Sequence, residues 1–172
     1  FITGLGSMAI GTAVLPYFSS MVAGSRWDEV KNTIVVYLKL IVIVTVPLTL
    51  IMIVFSAPLI EVIFQRGAFT SADTALVGKV QAFYFLQIPF YIMGILIVRL
   101  ISAIRANQIL MWAAVMNLMT NIILNLVFIK IWGVAGIALS TSVVYLLSFI
   151  YLVIALFLKS RKISQNLQDN SV

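Results

Sequence analysis

Side chains that could perform covalent chemistry are scarce in this sequence. Among its 172 residues there is no Cys and no His, and Asp and Glu together number five. Thiol nucleophiles, His-based metal sites and Ser-His or Cys-His catalytic pairs are therefore excluded. Asp28 and Glu29 are adjacent, so their carboxylates point in different directions and do not form an acid–base pair. We predict that the chain is not an enzyme and uses no metal and no cofactor.

The candidates for binding chemistry are two cations within apolar runs, Lys39 and Arg99. Lys39 lies about two helical turns into one run, and Arg99 lies near the end of another. A basic side chain at such a depth costs about 1–3 kcal/mol unless it snorkels to the headgroups or faces water. Two interpretations stay open for each: a snorkelling side chain, or a cation that faces an aqueous cavity and attracts an anionic group. Both residues are candidates for a substrate cavity.

Three asparagines form a second group of candidates. Asn117, Asn121 and Asn125 recur at every fourth residue, which places them on one face of a helix with a drift of about 40° per step. Such a polar stripe in a membrane helix either joins helices through hydrogen bonds, worth about 0.6–2 kcal/mol each, or lines a cavity. Both interpretations remain open, and the three residues are kept as candidates for the cavity wall.

The composition of the chain indicates that these residues are carried by membrane helices. Hydrophobic residues make up 63% of the sequence and charged residues 9%, with a mean hydropathy of +1.17. A soluble domain is closer to half apolar and a quarter charged. The net charge of +6 does not indicate nucleic-acid binding, because the basic residues stand singly around the ends of apolar runs, where they orient helices and contact anionic lipids.

The run lengths predict an all-α fold, a polytopic transmembrane helical bundle. The lobe would cover residues 1–159, and a polar tail, residues 160–172, would follow and be disordered or cut short. The chain opens on Phe1 inside an apolar run, so we expect a piece of a longer polypeptide whose first span is partial. The predicted spans are residues 1–21, 33–55, 74–104, 109–131 and 134–158, with a short interfacial helix over residues 57–66.

A charged corner at residues 64–73 interrupts the apolar pattern. Gly67 can end a helix in the left-handed conformation. Thr70 and Asp73 fit a capping box, in which the hydroxyl and the carboxylate each bond the main-chain amide of the other residue. The sequence therefore predicts a structural corner that joins the interfacial helix to a spanning helix.

Prolines lie inside three of the predicted spans, at Pro16, Pro47 and Pro89. Each removes a helical hydrogen bond and can kink the helix or serve as a hinge. Pro89 lies near the middle of its span, so we expect that helix to be bent or locally broken.

The distribution of basic residues predicts the orientation in the membrane. The first connection, the third connection and the tail share one side and carry most of the basic residues, whereas the other two connections carry only Arg66 and Lys130. The positive-inside rule places the richer side in the cytoplasm. The 64–73 corner is then expected outside and the tail inside. The residues on the richer side are Arg26, Lys31, Arg105, Lys159, Arg161 and Lys162.

Four segments, in order, resemble the MurJ (MviN) family of bacterial lipid II flippases. Residues 11–19 (GTAVLPYFS) resemble its GT-x-x-LP-x-x-S helix end, and residues 58–70, which end in FQRGAFT, resemble its RGAFT segment. The stripe over residues 117–125 and the stretch GVAGIALST over residues 133–141 resemble its N-x-x-x-N helix and GxxGxAxxT turn. The family shares a superfamily with MATE exporters and polysaccharide flippases, so the resemblance implies a MATE-like lobe.

The resemblance implies the eighth to twelfth helices of a fourteen-helix protein in the bacterial cytoplasmic (inner) membrane. It implies lipid II as substrate, membrane lipids as surroundings and the missing N-terminal lobe of the same polypeptide as partner, with no nucleic acid. Lys39 aligns with a position where the family often has Arg, which makes it the leading candidate for a cation that faces the substrate pyrophosphate.

Two other functions remain open from the sequence. A MATE-like cation or drug antiporter, or a polysaccharide flippase of the O-antigen type, would share the architecture, although an antiporter needs buried acids and no acid lies in the middle of a predicted span. A non-transporting scaffold for cell-wall enzymes needs no cavity, and an apolar face at residues 117–125 would have favoured it.

Overall fold

The structure, a computed structural model, describes residues 15–24 and 26–169, with side chains as far as residue 161. Every regular element in that part of the chain is an α-helix, which confirms the all-α prediction. Most of the first predicted span falls in residues 1–14, outside the described residues. The helices are α1 (residues 15–23), α2 (Trp27–Val54), α3 (Ser56–Phe64), α4 (Ser71–Phe85), α5 (Ile88–Ala103), α6 (Asn107–Trp132) and α7 (Val134–Asp169).

Four helical segments of the described chain are long and apolar enough to cross a membrane, which confirms the polytopic prediction. They are Trp27–Val54, Ser71–Ala103, Asn107–Trp132 and Val134–Arg161, and the second of these combines α4 and α5. The short α3, whose Val62, Ile63 and Phe64 are exposed, precedes the corner, as expected for the interfacial helix.

Helix α7 is the element against which most of the bundle packs. It contacts α4, α5 and α6, while α2 packs on α5 and α4, and α3 packs on α4. The most enclosed helix is α5, whose Leu96, Ile97 and Ile101 are almost fully buried. By contrast, Ala113 is the one buried residue of α6. That helix therefore turns most of its apolar surface away from the other described helices, toward lipid or further protein.

The membrane segment Ser71–Ala103 is interrupted where the sequence predicts a bend or a break. Helix α4 ends at Phe85, and α5 begins at Ile88 with Pro89 in its first turn. Pro89 has no amide hydrogen to continue the helical ladder, which explains why the two helices separate here. Helix α2, in contrast, is continuous through Pro47. The hinge roles of Pro16, Pro47 and Pro89 remain predictions.

A glycine permits close approach at the contact between α6 and α7. A Cβ atom added at Gly136 would lie 2.1 Å from the main-chain oxygen of Phe128. The small-residue spacing from Gly136 to Ser140 predicts such a close contact, since small residues let helix backbones approach in membranes. The turn between these helices uses Gly133 with φ 61° and ψ −142°, a conformation that side chains strongly disfavour.

The 64–73 corner carries the expected cap. The main-chain amide of Asp73 donates to the Thr70 hydroxyl at 3.3 Å, and the main-chain amide of Thr70 donates to the Asp73 carboxylate at 2.8 Å. Gly67 has φ 61°, in the left-handed region. The hydroxyl of Thr74 also donates to Gln65 at 3.0 Å, which ties the start of α4 to the end of α3.

The polar tail departs from the prediction. Helix α7 continues as far as Asp169, so the expected disorder of this segment is wrong for residues 160–169. The physical reason is local, because the segment contains Lys, Arg, Gln and Leu, which favour helices, and no Gly or Pro to end one. Lack of a hydrophobic pattern indicates a solvated helix as readily as a disordered chain.

Candidate functional site

A groove runs between α5 and α6, with α7 as its floor. Both helices pack on α7 but contact each other much less, so a cavity of about 280 Å³ remains between them. We call it the Arg99 groove. It is lined by Phe90, Tyr91, Gly94, Ile95, Val98 and Arg99 from α5, Asn117 from α6, and Tyr145, Ser148, Phe149 and Leu152 from α7.

Arg99 is the only cationic residue among those that line the groove. Its side chain is half-buried, and its Nε atom is fully buried without a hydrogen-bond partner among the described residues. The ion pairs of the described side chains join Arg26 to Glu29 and Lys31 to Asp28, so none of them includes Arg99. A buried guanidinium nitrogen without a partner is costly, which indicates that the groove is suited to an anion or another acceptor.

Side-chain contacts deeper in the groove link α7 to α6 and to α5. The Asn117 amide donates a 3.0 Å hydrogen bond to the Ser148 hydroxyl. The rings of Tyr91 and Tyr145 meet edge to face with centroids 5.2 Å apart. Neither Ser148 nor Tyr145 is among the candidates that the sequence indicates. The signal was their spacing of three along α7, which places both on one helical face with Leu152.

Lys39, the leading candidate from the sequence, lies elsewhere. It is exposed on α2 and borders a shallow, separate depression with Leu38, Val42 and Ile43. Within the described side chains it takes part in no ion pair. The structure therefore separates the two candidate cations: Arg99 lies between helices, and Lys39 lies on an outer face of the bundle.

The other two candidate asparagines also make hydrogen bonds within the bundle. The Asn125 amide donates to the side-chain oxygen of Asn121 at 2.9 Å, and the buried Ser140 hydroxyl donates to the side-chain oxygen of Asn125. The first bond lies within α6, whereas the second connects α6 to α7 and fits the helix-joining interpretation. Of the five cavity candidates, the structure brings together Arg99 and Asn117, and it leaves Lys39, Asn121 and Asn125 outside the groove.

Residues suited to metal binding do not gather in the described part of the chain. It contains no cluster of three or more His, Cys, Asp or Glu side chains. The chemistry that the described side chains offer is attraction of anions by Arg99 and Lys39, together with hydrogen bonding by Asn, Ser and Tyr.

Comparison with known proteins decides the family. Residues 1–168 match the family described as lipid II flippase MurJ. The chain belongs to the MurJ family. Together with the four membrane-length segments found among the described residues, this makes it a multi-pass membrane protein of a bacterial transporter family.

Two curated MurJ relatives show how much of the family fold is represented. The lipid II flippase MurJ of Thermosipho africanus is 34% identical over 152 residues, which cover 87% of this chain and 30% of the relative. The probable lipid II flippase MurJ of a Synechocystis species is 32% identical over 145 residues, which cover 84% of this chain and 27% of the relative. The chain thus spans about a third of the length of the MurJ relatives that it matches.

A solved structure supports the same assignment. A lipid II flippase MurJ in an inward closed conformation matches with a TM-score of 0.73 and 29% identity, over 88% of this chain and 33% of that one. This agreement supports the MurJ assignment from coordinates as well as from sequence.

Proposed function

We propose that this chain is part of a flippase that moves lipid II from the inner to the outer leaflet of the bacterial cytoplasmic membrane. The observation that carries the proposal is the match to the MurJ family over residues 1–168. Because the chain spans about a third of its relatives, the rest of the transporter, including the N-terminal lobe, is supplied by further segments of the same polypeptide. Transport proceeds by alternating access, in which two helical lobes rock about a central cavity.

Lys39 is the residue of this chain that contacts the anionic headgroup. Its exposure on α2 supports this role, because no described helix covers it and further protein can form a cavity against that face. The lysine ammonium is a compact and strongly hydrated charge, which suits a water-filled cavity that admits a pyrophosphate. The neighbours Val42 and Ile43 are apolar, so they offer no carboxylate that would compete with the substrate for Lys39.

Asn121 and Asn125 contribute to the cavity wall indirectly. Asn125 accepts a hydrogen bond from Ser140 that holds α6 against α7, and Asn121 fixes the Asn125 amide within α6. A rigid pair of helices is needed for a lobe that moves as a unit. The orientation follows the basic residues, with the 64–73 corner outside and the end of α7 in the cytoplasm.

Replacement of the cell's own flippase tests the proposal. Cells depleted of that flippase receive the complete polypeptide, either unchanged or with Lys39→Ala, Lys39→Arg or Lys159→Ala. Lys159 is exposed on α7, so its substitution removes the same charge from a different place. Membrane levels of each variant are compared by immunoblotting.

We expect growth with the unchanged protein, with Lys39→Arg and with Lys159→Ala, and loss of growth with Lys39→Ala at equal membrane level. Growth of Lys39→Ala at the rate of the unchanged protein would refute the role of Lys39. Failure of the unchanged protein to restore growth would refute the proposed function. A non-transporting scaffold would leave lipid II on the inner face whichever variant is present.

A further inference from the structure

The guanidinium of Arg99 lies in an apolar groove, and no described carboxylate pairs with it. Among the described acids, Glu29 and Asp28 pair with Arg26 and Lys31, and Asp73 caps α4. The groove itself contributes no carboxylate. A cation with a buried and unpaired donor is costly in apolar surroundings and is stabilised by a bound anion.

The groove is long enough and apolar enough to receive part of a hydrocarbon chain. Phe90 and Arg99 both line it, and nine residues of helix separate them by about 13 Å. Between these ends the walls are mostly apolar, with Ile95 and Val98 on one side and Phe149 on the floor. A cavity of about 280 Å³ accommodates part of one extended chain, and it is too small for a complete lipid.

The polar end of this channel lies at the depth of lipid headgroups. Arg99 precedes the end of α5 at Ala103 by four residues, which is about 6 Å along the helix axis. A long arginine side chain reaches the interface from that depth. We infer that the Arg99 groove holds one acyl chain of a resident anionic phospholipid, whose phosphate pairs with Arg99.

A second polar group can contact the same lipid. The Ser148 oxygen accepts a hydrogen bond from Asn117, and its own hydroxyl hydrogen is available to an acceptor in the groove. The ester carbonyl of a glycerolipid lies between its phosphate and its acyl chain and is such an acceptor. A cation at one end of the groove and a hydroxyl within its mostly apolar walls therefore match the phosphate, the ester and the acyl chain of a phospholipid.

A transported molecule fits this groove poorly. The Tyr91 and Tyr145 rings meet 5.2 Å apart toward its inner end, so no continuous polar path for a large headgroup leads onward from Arg99. The cavity also has no space for an oligosaccharide. The inference therefore concerns a bound structural lipid, and it does not depend on lipid II being the transported molecule.

Photolabelling in nanodiscs tests the inference. The complete polypeptide is placed in phosphatidylcholine nanodiscs that contain a small fraction of phosphatidylglycerol with a photoactivatable acyl chain. After illumination, labelled peptides are mapped by mass spectrometry. Arg99→Gln removes the cation, and Lys159→Gln removes an exposed charge as a matched control. Gly94→Leu fills the groove, since a Cβ atom at Gly94 has nothing within 4 Å, and Gly94→Ala is its smaller control.

We expect labels on the groove-lining peptides of α5 and α7 in the unchanged protein. Arg99→Gln lowers this labelling about tenfold, the effect of losing one charged hydrogen bond, and Gly94→Leu lowers it to a similar extent. Lys159→Gln and Gly94→Ala leave it within about twofold of the unchanged protein, because a difference below about twofold corresponds to no lost polar contact.

Three results would overturn the inference. The first is unchanged labelling in both Arg99→Gln and Gly94→Leu. The second is equal labelling of the unchanged protein by photoactivatable phosphatidylcholine, which would show that the negative charge is not recognised. The third is displacement of the label by added lipid II and not by added phosphatidylglycerol, which would assign the groove to substrate. Gly94→Leu keeps the test decisive if Arg99→Gln fails to fold.

Discussion

The Ser142 hydroxyl of α7 donates a 2.6 Å hydrogen bond to the main-chain carbonyl oxygen of Phe83. That carbonyl lies in the last turn of α4, where the break before Pro89 leaves carbonyls without helical partners. An unpaired carbonyl at membrane depth is costly unless neighbouring protein supplies a donor. A side chain 59 residues away in sequence thus stabilises the break between α4 and α5.

Replacement of this hydroxyl should destabilise the bundle. We expect Ser142→Ala to lower the free energy of unfolding by about 1 kcal/mol, the size typical of hydrogen bonds between membrane helices. The measurement is unfolding of the complete polypeptide in detergent micelles. Ser160 donates within its own helix, to Phe157, so Ser160→Ala is the control and should change stability little. Equal effects of the two substitutions would contradict the role of Ser142.

Gly136→Ala should separate α6 from α7. The added Cβ atom would lie 2.1 Å from the Phe128 carbonyl oxygen, so the backbones must move apart, at an expected cost of at least about 2 kcal/mol. Gly94→Ala meets no atom within 4 Å and should instead raise the free energy of unfolding by about 0.5–1 kcal/mol. Thermal unfolding of both variants checks the contrast. Similar midpoints for the two variants would be incompatible with the close contact.

Loss of the cap at the 64–73 corner should have a moderate effect. Thr70→Ala removes the hydroxyl that accepts from the Asp73 amide, and we expect a loss of about 1 kcal/mol in the free energy of unfolding. Thr70→Ser keeps the hydroxyl and should restore most of that stability. The reciprocal bond makes Asp73→Ala comparable in effect. A Thr70→Ser variant as unstable as Thr70→Ala would show that the hydroxyl is not responsible.

The orientation can be tested with single cysteines, since the chain contains none of its own. Ala68→Cys reports on the 64–73 corner. Ala106 would be a poor probe of the opposite side because it is buried, and the neighbouring Asn107 is exposed. A membrane-impermeant thiol reagent added to intact cells should label Ala68→Cys and leave Asn107→Cys unlabelled. Labelling of Asn107→Cys alone would show that the orientation is the opposite of the one proposed.

Local features of the fold were predictable from the sequence because local physics determines them. The lengths of the apolar runs predict the membrane helices, and the absence of an amide hydrogen at Pro89 predicts the break between α4 and α5. The pattern of Thr70 and Asp73 gives the cap. The helical tail is harder to predict, because residues 159–169 have no amphipathic pattern to indicate a helix. Their composition is nevertheless favourable for one.

The grouping of the candidate residues could not be predicted. Arg99 and Asn117 lie on different helices, and their meeting depends on how α5 and α6 pack against α7. The same packing brings Ser148 to Asn117 across 31 residues of sequence. A polar stripe indicates which face of α6 is special, but it does not indicate that Asn117 lines a groove while Asn121 and Asn125 lie outside it.

Direct measurement of lipid II translocation tests the central claim. Lipid II on the outer face of cells depleted of their own flippase is measured by cleavage with an added enzyme that cannot cross the membrane. With the complete polypeptide present, we predict that lipid II becomes accessible, that Lys39→Arg preserves this accessibility and that Lys39→Ala abolishes it at equal membrane level. Lipid II that stays inaccessible with the unchanged protein, while a known flippase restores access in the same cells, would contradict the account.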